Sequence, residues 1–191
     1  YKHRTILRKR WHEGKHRTRD IKFQVNFNFK PKFLQCGGKY VVLAALSSVV
    51  VVDLHTSKLL SRWETGYQTC HAMHFDSKRE VPLVAIAHDR FVVVHDALTG
   101  NVVREFPQTN VIIVKVSGNI VVTSEVMKLR IWDIQTGNCS HQFTEIGRRV
   151  FVVEIDAPNA RMFTCTEKGI RVWSLETAKL LYLMERSTFS F

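Results

Sequence analysis

Arg130-Ile-Trp-Asp-Ile-Gln-Thr-Gly-Asn-Cys-Ser140 is a branched apolar run, a turn sequence and the start of a second run. Three more segments follow the same plan. They are Val50-Val-Val-Asp-Leu-His-Thr-Ser-Lys-Leu-Leu, Val93-Val-His-Asp-Ala-Leu-Thr-Gly-Asn-Val-Val and Arg171-Val-Trp-Ser-Leu-Glu-Thr-Ala-Lys-Leu-Leu. The anchor residues Asp53, Asp96, Asp133 and Ser174 lie 43, 37 and 41 positions apart. A repeat of this length marks stacked supersecondary units, each burying its faces against its neighbours. That pattern points to a scaffold-like binding protein before any catalytic motif is considered.

The columns of the repeat have a physical reading. Two residues before each anchor stand Val51, Val94, Ile131 and Val172, and four before stand Val49, Val92, Leu129 and Ile170. Branched aliphatics at a spacing of two mark one face of a strand. The intervening positions are also largely apolar, so both faces are expected to be covered. After each anchor comes Thr56, Thr99, Thr136 or Thr177, and then Ser57, Gly100, Gly137 or Ala178. Asp-x-x-Thr-Gly between two apolar runs predicts a hairpin, with the carboxylate bonding the turn backbone and the Gly left-handed. A residue with a Cβ pays roughly 1–2 kcal/mol for that conformation. The turns at Ser57 and Ala178 are therefore expected to be built differently. Trp63, Phe106, Phe143 and Met184 close the units with bulky side chains.

Two further strands precede each anchor. In the second unit they are Cys70–Phe75 and Leu83–Ala87, in the third Val111–Val116 and Ile120–Ser124. In the fourth they are Val150–Ile155 and Arg161–Thr166, and in the first Phe33–Cys36 and Tyr40–Leu46. Each unit is thus predicted as a four-stranded antiparallel meander. Nothing in residues 23–191 sustains the 3.6-residue apolar period of a helical solenoid.

Ile131-Trp-Asp and Val172-Trp-Ser, in four-stranded units of this length, resemble WD repeats, over about residues 33–185. The resemblance implies an all-β fold, a β-propeller of about four blades. The blades are placed at about 23–66, 67–107, 108–144 and 145–186 within a domain of residues 23–191, after a basic arm over 1–22. Asp89 matches the family's structural Asp between second and third strands, whereas Leu46, Val126 and Glu167 depart from it. The family's Gly-His pair is missing, with Gly66-Tyr67 its nearest remnant. Packing, rather than the family's Asp-His-Ser-Trp hydrogen-bond network, is therefore expected to hold the blades. Four blades are fewer than a closed ring of seven or eight, so the chain is expected to be part of a longer protein.

Charge is concentrated at the front. Residues 1–39 hold twelve of the 28 Lys+Arg and two of the 17 Asp+Glu, leaving 16 and 15 for the remainder. Arg4–Arg19 is expected to form a short helix ending near Gly14 and then an extended stretch. Phe23-Gln-Val-Asn-Phe-Asn-Phe alternates apolar and polar residues, a strand that can close a propeller ring. The basic stretch with Trp11 and Gly14, running into the first unit, resembles the approach to the propeller in F-box/WD-repeat proteins. The hairpin Thr136-Gly-Asn-Cys-Ser-His also resembles their blades. That resemblance implies a substrate-holding propeller, with an upstream F-box recruiting a cullin ubiquitin ligase. Two other readings of the arm stand beside it: an RNA contact through residues 1–39 using cations and Trp11, and a solvated linker. Membrane attachment is not expected, because no amphipathic face of useful length accompanies the charge.

No catalytic constellation is visible. The sequence holds no Gly-x-Ser-x-Gly, and Gly37-Gly-Lys-Tyr lacks phosphate-loop spacing. No cofactor is called for. Cys70-His-Ala-Met-His is the only metal-like cluster, and a strand would turn His71 and His74 to opposite faces. Cys36, Cys70, Cys139 and Cys165 read as small core residues of a reducing compartment, cytosolic or nuclear. His95, standing where two repeats carry Trp, reads as a packed side chain. The binding candidates lie on the rim formed by turns between second and third strands and by loops into first strands. Arg90 and, in the same column, Lys168 are matched by the resemblance to positions that contact an acidic or phosphorylated degron. Arg148 and Arg149 are expected on the same rim, where guanidinium groups can grip carboxylate or phosphate.

Overall fold

Val49–Val52, four consecutive β-branched residues, need cover on both sides of any sheet they join. The computed structural model, which describes residues 30–143 and 149–185, supplies it by stacking four antiparallel sheets. The first comprises β1 (Phe33–Gly37), β2 (Tyr40–Ala44), β3 (Ser48–Asp53) and β4 (Leu59–Glu64). The second comprises β5 (Ala72–Asp76), β6 (Leu83–Ala87), β7 (Phe91–Asp96) and β8 (Val102–Pro107). The third comprises β9 (Ile113–Ser117), β10 (Ile120–Ser124), β11 (Leu129–Asp133) and β12 (Cys139–Phe143). The fourth comprises β13 (Val150–Asp156), β14 (Arg161–Thr166), β15 (Gly169–Ser174) and β16 (Leu180–Glu185). Every sheet is an up-and-down meander in sequence order, and the first strands β1, β5, β9 and β13 adjoin one another. This is the propeller arrangement.

Alternate residues of one strand serve two neighbours. Val84 and Ile86 of β6 pack with Val42, Ala44, Val49 and Val51 of the first blade. Ala85, on the other face of the same strand, joins Val114, Val116 and Trp132 of the third. The next interface sets Val122, Leu129 and Ile131 against Val153, Met162 and Leu175. The bulky closing residues meet the residue just before the next anchor. Trp63 lies 4.6 Å from His95, Phe106 5.1 Å from Trp132, and Phe143 5.0 Å from Trp173, centroid to centroid. All four third strands shift register by one residue immediately before the anchor or its predecessor, at Val51/Val52, Val94/His95, Ile131/Trp132 and Val172/Trp173. A bulge repeated at one site re-aims the same side chain in each blade.

The hairpin turns behave as the Asp column predicts. Asp53 Oδ1 accepts the N–H groups of His55 and Thr56 at 2.9 and 2.8 Å, and Asp133 Oδ1 accepts that of Thr136 at 2.6 Å. These bonds, led by those from the turn Thr, hold both carboxyl groups below the usual carboxylate range. The expectation for Ser57 and Ala178 is corrected. Both adopt the left-handed conformation (φ 59° and 55°) and donate to the anchor carbonyl like Gly100 and Gly137. The tertiary fit overrides the local cost. First strands begin two residues later than expected in the second and third blades, at Ala72 and Ile113. The helix near Gly14 and the closing strand at Phe23–Phe29 lie outside the described residues.

Candidate interaction rim

The network expected to be absent is present in the third blade. Trp132 Nε1–H donates to Thr123 Oγ1 at 2.9 Å, and Thr123 donates onward to Gln108 Oε1 at 2.6 Å. Gln108 Nε2 reaches Glu125 Oε1 at 3.1 Å, which also takes Arg130 Nη1 at 2.5 Å. Gln108 thus does the work assigned to a His, and Glu125 that of an Asp one position later. The missing Gly-His dipeptide concealed the chemistry because an amide can both donate and accept. The fourth blade keeps the first link of that chain, Trp173 Nε1–H to Thr164 Oγ1 at 2.9 Å.

The second blade solves the same problem with apolar and ring contacts. Ile86 stands where Thr123 and Thr164 stand, and His95 replaces Trp. His95 Nδ1 bonds Gly100 O at 3.0 Å, and His88 Nδ1 bonds Thr69 O. Burial pushes both imidazoles below the usual His value, so both are neutral with Nδ1–H donating. Tyr67 stacks on His88 at 4.1 Å, and its O–H donates to Glu105 Oε2 at 2.7 Å. Burial, then that carboxylate, pushes the phenol up to about 12.

Inner strands carry a second polar column, Gln35, His74, Lys115 and Glu154. Gln35 brackets β5 by donating to Met73 O at 3.1 Å and accepting Phe75 N–H at 2.6 Å. His74 Nδ1 accepts Val116 N–H at 3.1 Å, and Lys115 pairs with Glu154 at 2.6 Å. Burial, aided by Lys115, brings His74 down to about 4. His74, Lys115 and Glu154 border an axial cleft of about 530 Å³.

The sequence-predicted rim is real as a place. Arg90 and Lys168 sit in equivalent turns, β6–β7 and β14–β15, and Arg149 immediately precedes β13; all three are exposed at one end of the sheets. Arg90 and Lys168 are two blades apart, so they share an end rather than a cluster. Arg148 lies outside the described residues. His71 and His74 serve separate partners, and no group of three metal-ligating side chains occurs among the described residues. Cys70 is buried, but Cys36 and Cys139 are exposed, which corrects their reading as core; all four thiols are free.

The same end holds a groove that the sequence reading passed over. It measures about 810 Å³ and runs along the seam of the second and third blades, between His71–Asp89 and the β10–β11 turn Glu125-Val-Met-Lys. His71 Nε2–H donates to Asp89 Oδ1 at 2.6 Å, chiefly which holds Asp89 below the usual carboxylate range. Val126 and Met127 are 52% and 54% exposed. The signal was available: Val126-Met127 are two successive apolar residues in a turn whose counterparts are Leu46-Ser47, Asp89-Arg90 and Glu167-Lys168.

No protein-family model matches the sequence, and no curated protein matches it. Solved structures do. The computationally designed Ika4 protein matches with TM-score 0.66 and 21% identity, over 83% of this chain and 99% of that one. The designed Ika8 protein matches with TM-score 0.63 and 24% identity, over 78% of this chain and 47% of that one. The WD40 β-propeller domain of Doa1 matches with TM-score 0.63 and 15% identity, over 81% and 53%. The chain spans about half the length of the Ika8 and Doa1 chains. At these identities the likeness establishes the fold, a WD40-type propeller, and nothing of activity. No helix among the described residues is long and apolar enough to cross a membrane.

Proposed function

We propose that this propeller is a non-catalytic protein-interaction scaffold, and specifically the substrate-holding part of an F-box/WD-type ubiquitin-ligase receptor. The observation that carries the scaffold reading is the division of labour in the fold. Blade seams absorb the core and its hydrogen bonds, while one end of the sheets is left with exposed Arg90, Arg149 and Lys168. Cations so placed suit carboxylate or phosphate on a partner, each charge-assisted bond contributing ~1.5–3 kcal/mol. The ligase reading adds the resemblance of residues 4–19 and 136–141 to F-box/WD proteins. It is tested by affinity purification of the full-length gene product from its own cells. Association with a cullin adaptor is expected, and its absence under conditions that retain a known F-box protein refutes the ligase role.

A second reading rests on the charge of residues 1–39, twelve Lys+Arg against two Asp+Glu. Here the chain is a scaffold in a ribonucleoprotein, and the basic arm contacts RNA. Deleting residues 1–29 then abolishes salt-sensitive binding to single-stranded RNA; unchanged affinity eliminates this reading. Either role places the protein in the cytosol or nucleus.

A further inference from the structure

We propose that the groove between the second and third blades binds a short acidic peptide segment of a partner protein, anchored by one aliphatic or aromatic side chain. The proposal deepens the scaffold reading and rests on it, but not on the ligase connection.

The groove has the form of a ligand cleft rather than a packing defect. Its volume, about 810 Å³, falls in the ~300–1,000 Å³ range of ligand clefts. Buried Val111 and half-buried Ile112 form its base, and Val126 with Met127 stand exposed along one side. The turn that presents them is fixed from within. Glu125, immediately before them, is held by Gln108 and Arg130, and its N–H donates to Lys128 O at 2.8 Å. The opposite side is fixed by the His71–Asp89 pair. Two half-exposed apolar side chains are therefore displayed on a rigid turn, and no element among the described residues covers them.

Charge decides the class of occupant. The carboxylates around the groove are engaged: Asp89 by His71 and Glu125 by Arg130 and Gln108. Further along the rim Glu105 takes the Tyr67 hydroxyl and Glu64 that of Ser48. The cations are differently placed. Lys128 lines the groove, Arg90 follows Asp89, and both are exposed, with neither in an ion pair among the described residues. An occupant thus meets uncommitted positive charge beside an apolar trough. A peptide with one apolar anchor flanked by Asp or Glu fits both features, whereas a basic segment meets repulsion at Lys128 and Arg90.

The test is selection of a phage-displayed random twelve-residue peptide library on the full chain, after subtraction on a Val126→Asp/Met127→Asp variant. Both positions are exposed, and a matching thermal melt confirms that the variant folds. Enriched peptides are expected to carry Leu, Ile, Val, Met or Phe within two positions of Asp or Glu. By fluorescence polarisation a synthetic winner should lose at least tenfold in affinity on V126D/M127D. It should lose about fivefold on Lys128→Glu, and weaken as salt rises. No enrichment, a basic or uncharged consensus, or affinity that survives V126D/M127D overturns the proposal. The cullin-adaptor purification is independent of these outcomes, so failure of the groove and failure of the ligase reading are read separately.

Discussion

Replacing Thr123 by Val removes one hydroxyl from the centre of the third blade while keeping the shape of the side chain. Thr123 is fully buried, accepts from Trp132 and donates to Gln108. Valine leaves the buried indole N–H without an acceptor, at ~1–3 kcal/mol, and the Gln108 carbonyl without its donor, at ~1 kcal/mol more. The added methyl returns ~1 kcal/mol at most. A net loss of about 1–3 kcal/mol follows, or a fall in Tm of roughly 2–12 °C for a domain of this size. Thr164→Val in the fourth blade breaks a single bond, and Trp173 is only half-buried, so water can replace it. That variant should lose about 1 kcal/mol. The assay is urea denaturation followed by tryptophan fluorescence, with equal slopes for the variants compared. In a Trp132→Phe background the orphaned donor is gone, and Thr123→Val should cost less than half as much. Equal losses at the two sites, or a cost unchanged by Trp132→Phe, would refute the reasoning and return the blades to packing alone.

Three further outcomes follow from the turns and the axis. Gly100 and Gly137 share φ 78°, but a Cβ at Gly100 would lie 2.5 Å from Trp63 Cγ, and one at Gly137 3.5 Å from Arg104 Cδ. Gly137→Ala should therefore cost the backbone term, ~1–2 kcal/mol, and Gly100→Ala that plus overpacking, ~3–4 kcal/mol in all, by the same denaturation assay. Ala178→Gly, at φ 55°, should raise the midpoint by ~0.5–1 kcal/mol once the greater freedom of the unfolded chain is subtracted; a loss would show that the turn is unstrained. His74, brought down by burial to about 4 from the ordinary imidazole value of 6.5, binds its proton more readily when unfolded. Its contribution is intact above pH 6.5 and is lost as pH falls through 4, with ~2 kcal/mol gone between pH 7 and 5. His74→Gln, which keeps an acceptor for Val116 N–H as Gln35 does for Phe75, should flatten that part of the pH–stability curve, and identical profiles would exclude His74 as its source.

The fold was legible because its cause is periodic. Valine and isoleucine two apart, ahead of Asp-x-x-Thr, report strand and turn together, and the repeat confirms both four times over. The bulky closing column was legible for the same reason, since Trp63, Phe106 and Phe143 all reach the next blade's pre-anchor residue. The left-handed Ser57 and Ala178 were not, because local propensity speaks for Gly while the fixed ends of β3–β4 and β15–β16 leave the turn no other path. The Trp132–Thr123–Gln108–Glu125 chain was hidden because it is a pattern of donors and acceptors rather than of residue names. Gln108 lies outside every repeat column quoted for its blade, and only the loop path from β8 to β9 brings it to Thr123.

That difference between blades also explains why the groove lies where it does. Removing both partners of a buried hydrogen bond is nearly neutral when apolar groups take their place. The second blade has made this exchange: Ile86 fills the site of the threonine, and His95 is covered by Trp63, whose Nε1–H donates to Ala97 O at 3.1 Å. With no buried network to close, Asp89 is released to the surface, where it pairs with His71. The third blade has kept its network, so Glu125 is drawn inward and the next residues, Val126 to Lys128, are pushed out at the tip. A surface imidazole–carboxylate pair on one blade and an extruded apolar tip on the next then face each other across a single seam. The interaction rim is thus shaped by how each blade satisfies its core, which ties Thr123→Val to the groove: loosening Glu125 should weaken peptide binding as well as stability.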